Sequence, residues 1–273
     1  MLKTRIITAL ILMAAFIPAL FLFSEEAWAV AMLALSLLAV YEWGALIKLK
    51  QPELVAYSAI AAALGVLTIF LVKTYGFHQF FYQSLNVFLL AAIFWTIIVP
   101  IWLSKRFVIT NKWLMALLGL LLIASLWLAL ICARGIDPRF LLMMLVTIWI
   151  ADSAAYFAGK TFGEHKLAPL ISPGKTWEGV FGALVGVTLL GLIVCFGFGV
   201  SQFELFPLLW LVAIYGVIGD LFESLMKRQA NIKDSGDLLP GHGGILDRID
   251  GLISSLPVGI IIIYAYRALT GNV

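Results

Sequence analysis

The chain has 273 residues, of which 63% are hydrophobic and only 12% charged, with a mean hydropathy of +1.07 and a formal net charge of +3. That mixture excludes an ordinary water-soluble domain, and so small a net charge gives no reason to expect nucleic acid as a partner. Cys132 and Cys195 each lie inside an apolar run without CxxC spacing, so both read as packing residues rather than as a disulfide or a zinc site.

A membrane-spanning helix needs about 20 mostly apolar residues. Runs of that kind begin near Arg5, Ala27, Leu54, Ser84, Trp113, Arg139, Trp177, Glu204 and Gly251. Lipid cannot hydrogen-bond a bare backbone, and the alternation of a barrel strand is missing, so the runs predict helices. The expected fold is all-α, a polytopic integral membrane protein with about nine transmembrane helices. Residues 1–23 also have some features of a signal peptide, with Lys3 and Arg5 ahead of an apolar stretch and Ala27-Trp28-Ala29 resembling a cleavage site, but the stretch is long for one. No internal repeat or low-complexity linker interrupts the pattern.

With the N-terminus placed in the cytoplasm, only Lys73, Arg134, Arg139 and Arg267 of the 18 basic residues fall on the outer side, as the positive-inside rule requires. The acids are spread unevenly. Residues before Asp152 supply only Glu25, Glu26, Glu42, Glu53 and Asp137 of the 15. Residues 1–135 therefore read as transmembrane scaffold, with Glu42 as a snorkelling or paired structural charge, and residues 136–273 as the catalytic region with inner loops at 160–176 and 227–250.

The first inner segment carries Asp152, Tyr156, Gly159, Lys160, Ser172, Lys175, Thr176 and Glu178. Asp152, Tyr156 and Gly159 share a helix face. An acid inside a spanning helix costs about 2.5–3.5 kcal/mol, so a metal ion or a basic partner should compensate Asp152. Gly174-Lys175-Thr176 mimics the end of a P-loop, but Pro169 stands where that motif needs Gly and no strand precedes it. Lys160, Lys166 and Lys175 could form a basic belt for anionic headgroups; that reading suits Lys166, whereas Lys175 is equally a candidate for phosphate contact.

The second segment is denser, running from Gly219-Asp220 through Glu223, Ser224, Lys227 and Arg228, then Lys233-Asp234, then Pro240-Gly241-His242-Gly243-Gly244 and Asp247-Arg248-Ile249-Asp250. Asp220, Glu223, Ser224 and Lys227 share one helix face, and Asp247, Asp250 and Ser254 another, so two acidic helix ends can converge. Mg²⁺ usually takes one or two carboxylates plus substrate phosphate oxygens. Phosphoryl transfer needs positioning and charge neutralisation by Mg²⁺, Lys and Arg, and the glycines would admit a phosphate to backbone N–H groups. The plain alternative is a helix hairpin whose charges neutralise one another.

This segment resembles the signature of the phosphatidate cytidylyltransferases: Ser224, Lys227-Arg228, Lys233-Asp234, Pro240, His242-Gly243-Gly244, Asp247-Arg248 and Asp250 match it without a gap. Asp152, Tyr156, Gly159, Lys160, Ser172, Pro173, Lys175, Thr176, Glu178 and Gly179 are similar to a second region of that family, and the likeness extends to Glu42-Trp43-Gly44. The resemblance implies transfer of a cytidylyl group from CTP to phosphatidic acid, giving CDP-diacylglycerol and pyrophosphate. It also implies Mg²⁺, with a second cation left open, a homodimer, and an active site on the cytoplasmic face of the inner membrane.

On that footing Asp220 and Asp247 are the first expected metal ligands, with Asp152 and Asp250 as further members of the cluster. Lys227, Arg228, Lys233 and Arg248 are expected to bind phosphate, with Asp234 in the same catalytic set and Ser224, Gly243 and Gly244 at the substrate. A phosphate monoester is already largely ionised near neutral pH, its second pKa being roughly 6, so His242 reads better as a hydrogen-bond donor than as a general base. Two other readings compete: a CTP-dependent polyprenol or phytol kinase, and an ion-coupled transporter, against which the missing repeat and the one-sided polar cluster argue.

Overall fold

The structure, a computed structural model, describes residues 2–198, 205–238 and 243–270. As the composition predicts, it is built from helices: α1 (Leu2–Leu22), α2 (Glu25–Leu46), α3 (Gln51–Tyr75), α4 (Phe77–Ile93), α5 (Val99–Lys105), α6 (Lys112–Ile136), α7 (Pro138–Phe162), α8 (Trp177–Phe198), α9 (Leu205–Ala230) and α10 (Leu246–Thr270). A π-helical turn, Phe94–Ile98, joins α4 to α5 just before Pro100, so the two form one long segment. Among the described residues, eight helical segments are long and apolar enough to cross a membrane, and α1 adds a further helix of 21 residues. A departure from the all-helical reading is a two-stranded antiparallel hairpin, Lys166–Ala168 (β1) and Ser172–Thr176 (β2), inside the first inner segment.

Helix starts follow local chemistry. Ser24 Oγ accepts from Ala27 N at the start of α2, Asn111 Oδ1 from Trp113 N and Leu114 N on α6, and Asp137 Oδ1 from Arg139 N on α7. Each side chain satisfies amides that a helix leaves without an internal partner. Many outward side chains are bare hydrocarbon, among them Val55, Phe70, Leu90, Phe181 and Phe196, which suits a surface solvated by lipid tails.

Lipid gives apolar side chains little reason to leave it, so close packing and polar contacts must hold the helices together. Between α2 and α6, Trp28 Nε1 donates to Leu130 O and Trp127 Nε1 to Ala29 O, while Trp43 Nε1 donates to Met115 O at 2.9 Å. Arg134 closes the opposite end, donating to Leu20 O and Phe23 O at the end of α1 while lying over the Trp28 ring.

Small residues set the spacing of α7 against α8. Any Cβ on Gly182 would strike Ala158, and one on Gly186 would come 2.7 Å from the Ala154 methyl, so two small-residue faces meet backbone to backbone. On the other side, Phe222 of α9 sits among Phe94, Trp95 and Trp102, with ring centroids 5.4–5.9 Å away and nearly perpendicular planes. Held from both sides, α7, α8, α9 and α10 bring their polar ends to one region.

Candidate active site

A cavity of about 710 Å³ opens at that region. Its walls are Asp152, Tyr156, Gly159 and Lys160 from α7, Ser172, Lys175 and Thr176 from β2, Asp220 from α9, and Asp247, Arg248 and Asp250 from α10. The expected face of α7 therefore does point at the site, and both acidic helix ends converge on it. Val180 and Val217 add apolar wall that no polar motif marked.

The hairpin closes one side. Its ends are joined by pairing of Lys166 with Thr176 and by Trp177 N donating to His165 O at 2.9 Å. Glu178, in the first turn of α8, accepts from His165 N at 3.2 Å and lies 2.6 Å from His165 Nδ1. Glu178 thus anchors the hairpin through His165 and does not line the cavity. Thr176 Oγ1 accepts from Gly179 N, so this residue both caps α8 and faces the cavity. Arg228, expected at phosphate, donates Nε to Ile171 O at 3.3 Å and steadies the hairpin turn from α9.

Lys175 reaches from the hairpin across to α9, where its Nζ lies 2.6 Å from Asp220 Oδ2. Ser224 donates to the other oxygen, Asp220 Oδ1, at 3.2 Å, so its place is behind Asp220 rather than in the cavity wall. Asp220 also lies within electrostatic reach of Asp152 and of Asp250. The acid expected to need compensation inside α7 thus shares a cavity with Lys175 and Arg248.

A second charge group lies in the wall between α9 and α10. Lys227 Nζ is 2.5 Å from Glu223 Oε2 and 2.6 Å from Asp247 Oδ1, with all three side chains largely shielded. The Glu223 contact is an ion pair without well-aligned hydrogen bonds. Asp247 Oδ2 accepts from Ser235 N, Ser235 Oγ and Gly244 N at 2.9–3.0 Å. Lys227 therefore serves as a buried counter-charge, and the Gly244 amide is spent on Asp247 rather than open to phosphate. Gly243, at φ +79°, adopts the left-handed turn that delivers that amide. Lys233 and Asp234 are exposed on the connecting loop outside the cavity wall, and His242 lies outside the described residues.

The donor set suits a hard cation. Asp220 Oδ2 and Asp247 Oδ1 each already hold an ammonium group at 2.6 Å, so each offers an anionic oxygen to positive charge. Among the described residues no three His, Cys, Asp or Glu side chains form a metal cage by themselves. A Mg²⁺ ion would complete its shell with water and substrate phosphate oxygens.

A model of the cytidylyltransferase family matches residues 3–266 of this chain. The chain belongs to the cytidylyltransferase family. Its relatives include proteins named phosphatidate cytidylyltransferase from Pseudomonas aeruginosa, 37% identical over 97% of this chain and 98% of the relative, and from Haemophilus influenzae, 35% identical over 94% and 96%. A Staphylococcus saprophyticus protein of the same name is 31% identical over 94% of this chain and 96% of its own length. Cytidylyltransferase membership covers the scaffold helices as well as the cavity, so Glu42 and Trp43 belong to the matched region together with Asp220 and Asp247.

Two residues that motif reasoning did not place at the site are Glu42, taken only as a structural charge, and Ser235, which was not singled out. Glu42 is buried and accepts from Ile245 N and Leu246 N at the start of α10. The sequence signals for it are a carboxylate inside an apolar run and the Glu42-Trp43-Gly44 likeness.

Proposed function

We infer that the protein is a phosphatidate cytidylyltransferase, joining the cytidylyl group of CTP to phosphatidic acid and releasing pyrophosphate in phospholipid synthesis. The observation that carries this reading is the cavity in which Lys175, Arg248 and Lys160 face Asp152, Asp220 and Asp250 beside apolar helix walls, in a chain matched end to end by the family. The basic groups suit a triphosphate, the acids suit its cation, and the surrounding helices suit a lipid that arrives sideways. Each buried CH₂ contributes about 0.8 kcal/mol, so a two-chain lipid reacts without leaving the bilayer.

In the proposed reaction a phosphate oxygen of phosphatidic acid attacks the α-phosphorus of CTP in line, one new P–O bond forms, and the bond to the β-phosphate oxygen breaks. Lys175, swinging from Asp220 to the incoming phosphates, and Arg248 neutralise charge on the triphosphate; Lys160 and Ser172 hold its outer part. Asp220 and Asp247 Oδ1 would hold Mg²⁺, which when bound supplies charge neutralisation at the phosphate oxygens. The nucleophile is already ionised near neutral pH, so the mechanism needs no base at His242. The cavity faces the cytoplasm, where the basic side of the chain and the supply of CTP coincide.

The test is pyrophosphate release by detergent-purified protein in mixed micelles. The expected result is release only when CTP and phosphatidic acid are both present, abolished by EDTA and restored by Mg²⁺. Release with ATP in place of CTP, or without lipid, would contradict the proposal.

A further inference from the structure

Glu42 lies on α2, in the half of the chain without signature motifs, yet its carboxylate is only 3% exposed and ends at the loop that precedes α10. Oε1 accepts from Ile245 N at 2.9 Å, and Oε2 accepts from Leu246 N at 2.8 Å and from Ser235 Oγ at 3.2 Å. Amides at a helix start have no partner inside the helix, and a negative charge there is favoured by the helix dipole. Glu42 is therefore the cap of α10, supplied by a residue some two hundred positions away.

Ser235 Oγ also lies 3.0 Å from Asp247 Oδ2, so its single hydroxyl proton is shared between the carboxylates of Glu42 and Asp247. The two acids grip the loop from opposite sides. A Cβ on Gly236 would come 2.7 Å from Glu42 Oε1, and one on Gly244 would crowd both Glu42 and Ser235, so the loop backbone closes tightly around the Glu42 carboxylate. With Oδ2 saturated by loop donors, Asp247 turns Oδ1 toward Lys227 Nζ and the cavity edge.

We propose that Glu42 is a positioning residue of the transfer site, acting through Ser235 and the first amides of α10 to hold Asp247 in its working orientation. For its kinetic readout the proposal rests on the cytidylyltransferase reading above. Its structural readout does not.

The experiment compares Glu42→Gln, Ser235→Ala and the double variant with wild type, in kinetics, Mg²⁺ titration and amide hydrogen exchange. Glu42→Gln should lower kcat roughly tenfold or more, as small misplacements in active sites do. The KM for CTP should stay within about twofold, because Glu42 touches no part of the cavity, while half-activation by Mg²⁺ should need several-fold more metal. Ser235→Ala should move both quantities the same way by less, and the double variant should be no worse than Glu42→Gln, since both act on one network. Amides of residues 235–238 and 243–246 should exchange faster, and those of 251–260 should not change.

Wild-type kcat and Mg²⁺ midpoint in Glu42→Gln, or strictly additive losses in the double variant, would overturn the proposal. If Glu42→Gln fails to fold, Ser235→Ala decides, because it leaves Glu42 its two backbone donors; wild-type behaviour there would overturn it. If wild type itself lacks CTP-dependent transfer, the functional reading fails separately, and unchanged exchange at 235–246 would then sink the positioning role.

Discussion

Two charge clusters that share neighbouring turns of α9 behave differently in the fold. Around Lys175 and Asp220 the ion pair faces an open cavity, and the Asp220 side chain keeps 35% of its surface exposed. Around Lys227 the Glu223 and Asp247 side chains keep only 5% and 9%. The first cluster borders open space, and a partly exposed pair of this kind contributes little net stability. The second cannot release its lysine without leaving two shielded carboxylates facing each other. A dense charged motif is thus not one structural unit: Lys175 and Asp220 pair at the open cavity, whereas Lys227 and Glu223 lie in the shielded wall behind it.

The sharpest way to break this comparison is Lys227→Met. Removing one partner of a buried ion pair typically costs about 3–5 kcal/mol, so the variant should lose monodisperse protein on size-exclusion chromatography and melt far below wild type. Adding Glu223→Gln should recover part of the melting temperature, because one uncompensated charge is gone. Next in size is Asp220→Asn, for which turnover should fall roughly 10²–10³-fold, the loss expected when a charge-stabilising group is removed, with a melting temperature close to wild type. If Asp220→Asn instead melted as early as Lys227→Met, the division between the clusters would not stand.

A smaller effect is expected at Lys175→Gln: KM for CTP should rise about tenfold, equivalent to about 1.4 kcal/mol, with kcat falling less, in steady-state kinetics at fixed lipid. Smallest is Glu178→Gln, which removes an anchor of the hairpin beside an exposed histidine; its melting temperature should stay close to wild type.

The helical architecture was legible because a lipid-solvated chain has to satisfy its backbone internally, and the starts near Trp113, Arg139 and Trp177 lie within a residue of α6, α7 and α8. Departures occur where hydropathy dips within a helix. α4 begins at Phe77 rather than near Ser84, and α10 at Leu246 rather than near Gly251, because the polar Asp247, Arg248 and Asp250 are accommodated inside its first turns. The hairpin had no signature, since strands of three and five residues are too short for an alternating pattern to show.

Within the site, motif spacing brought Asp152, Lys160, Lys175, Asp220, Arg248 and Asp250 to one cavity. It did not separate Asp220 from Glu223: three residues on a helix amount to about 60° around the axis, enough to send one acid to the cavity and the other to Lys227. Nor could spacing foresee that Asp247 binds Ser235 and Gly244, or that Glu42 caps α10, because both depend on contacts across loops and helices rather than along one helix.

The most direct measurement follows the phosphorus. Purified protein in mixed micelles with phosphatidic acid and Mg²⁺ would be given CTP labelled either at the α- or at the γ-phosphate, and the label partitioned into the lipid phase. Attack at the α-phosphorus predicts lipid-borne label from α-labelled CTP and none from γ-labelled CTP. Label entering lipid from the γ position would contradict the account and mark the cavity as that of a CTP-dependent kinase.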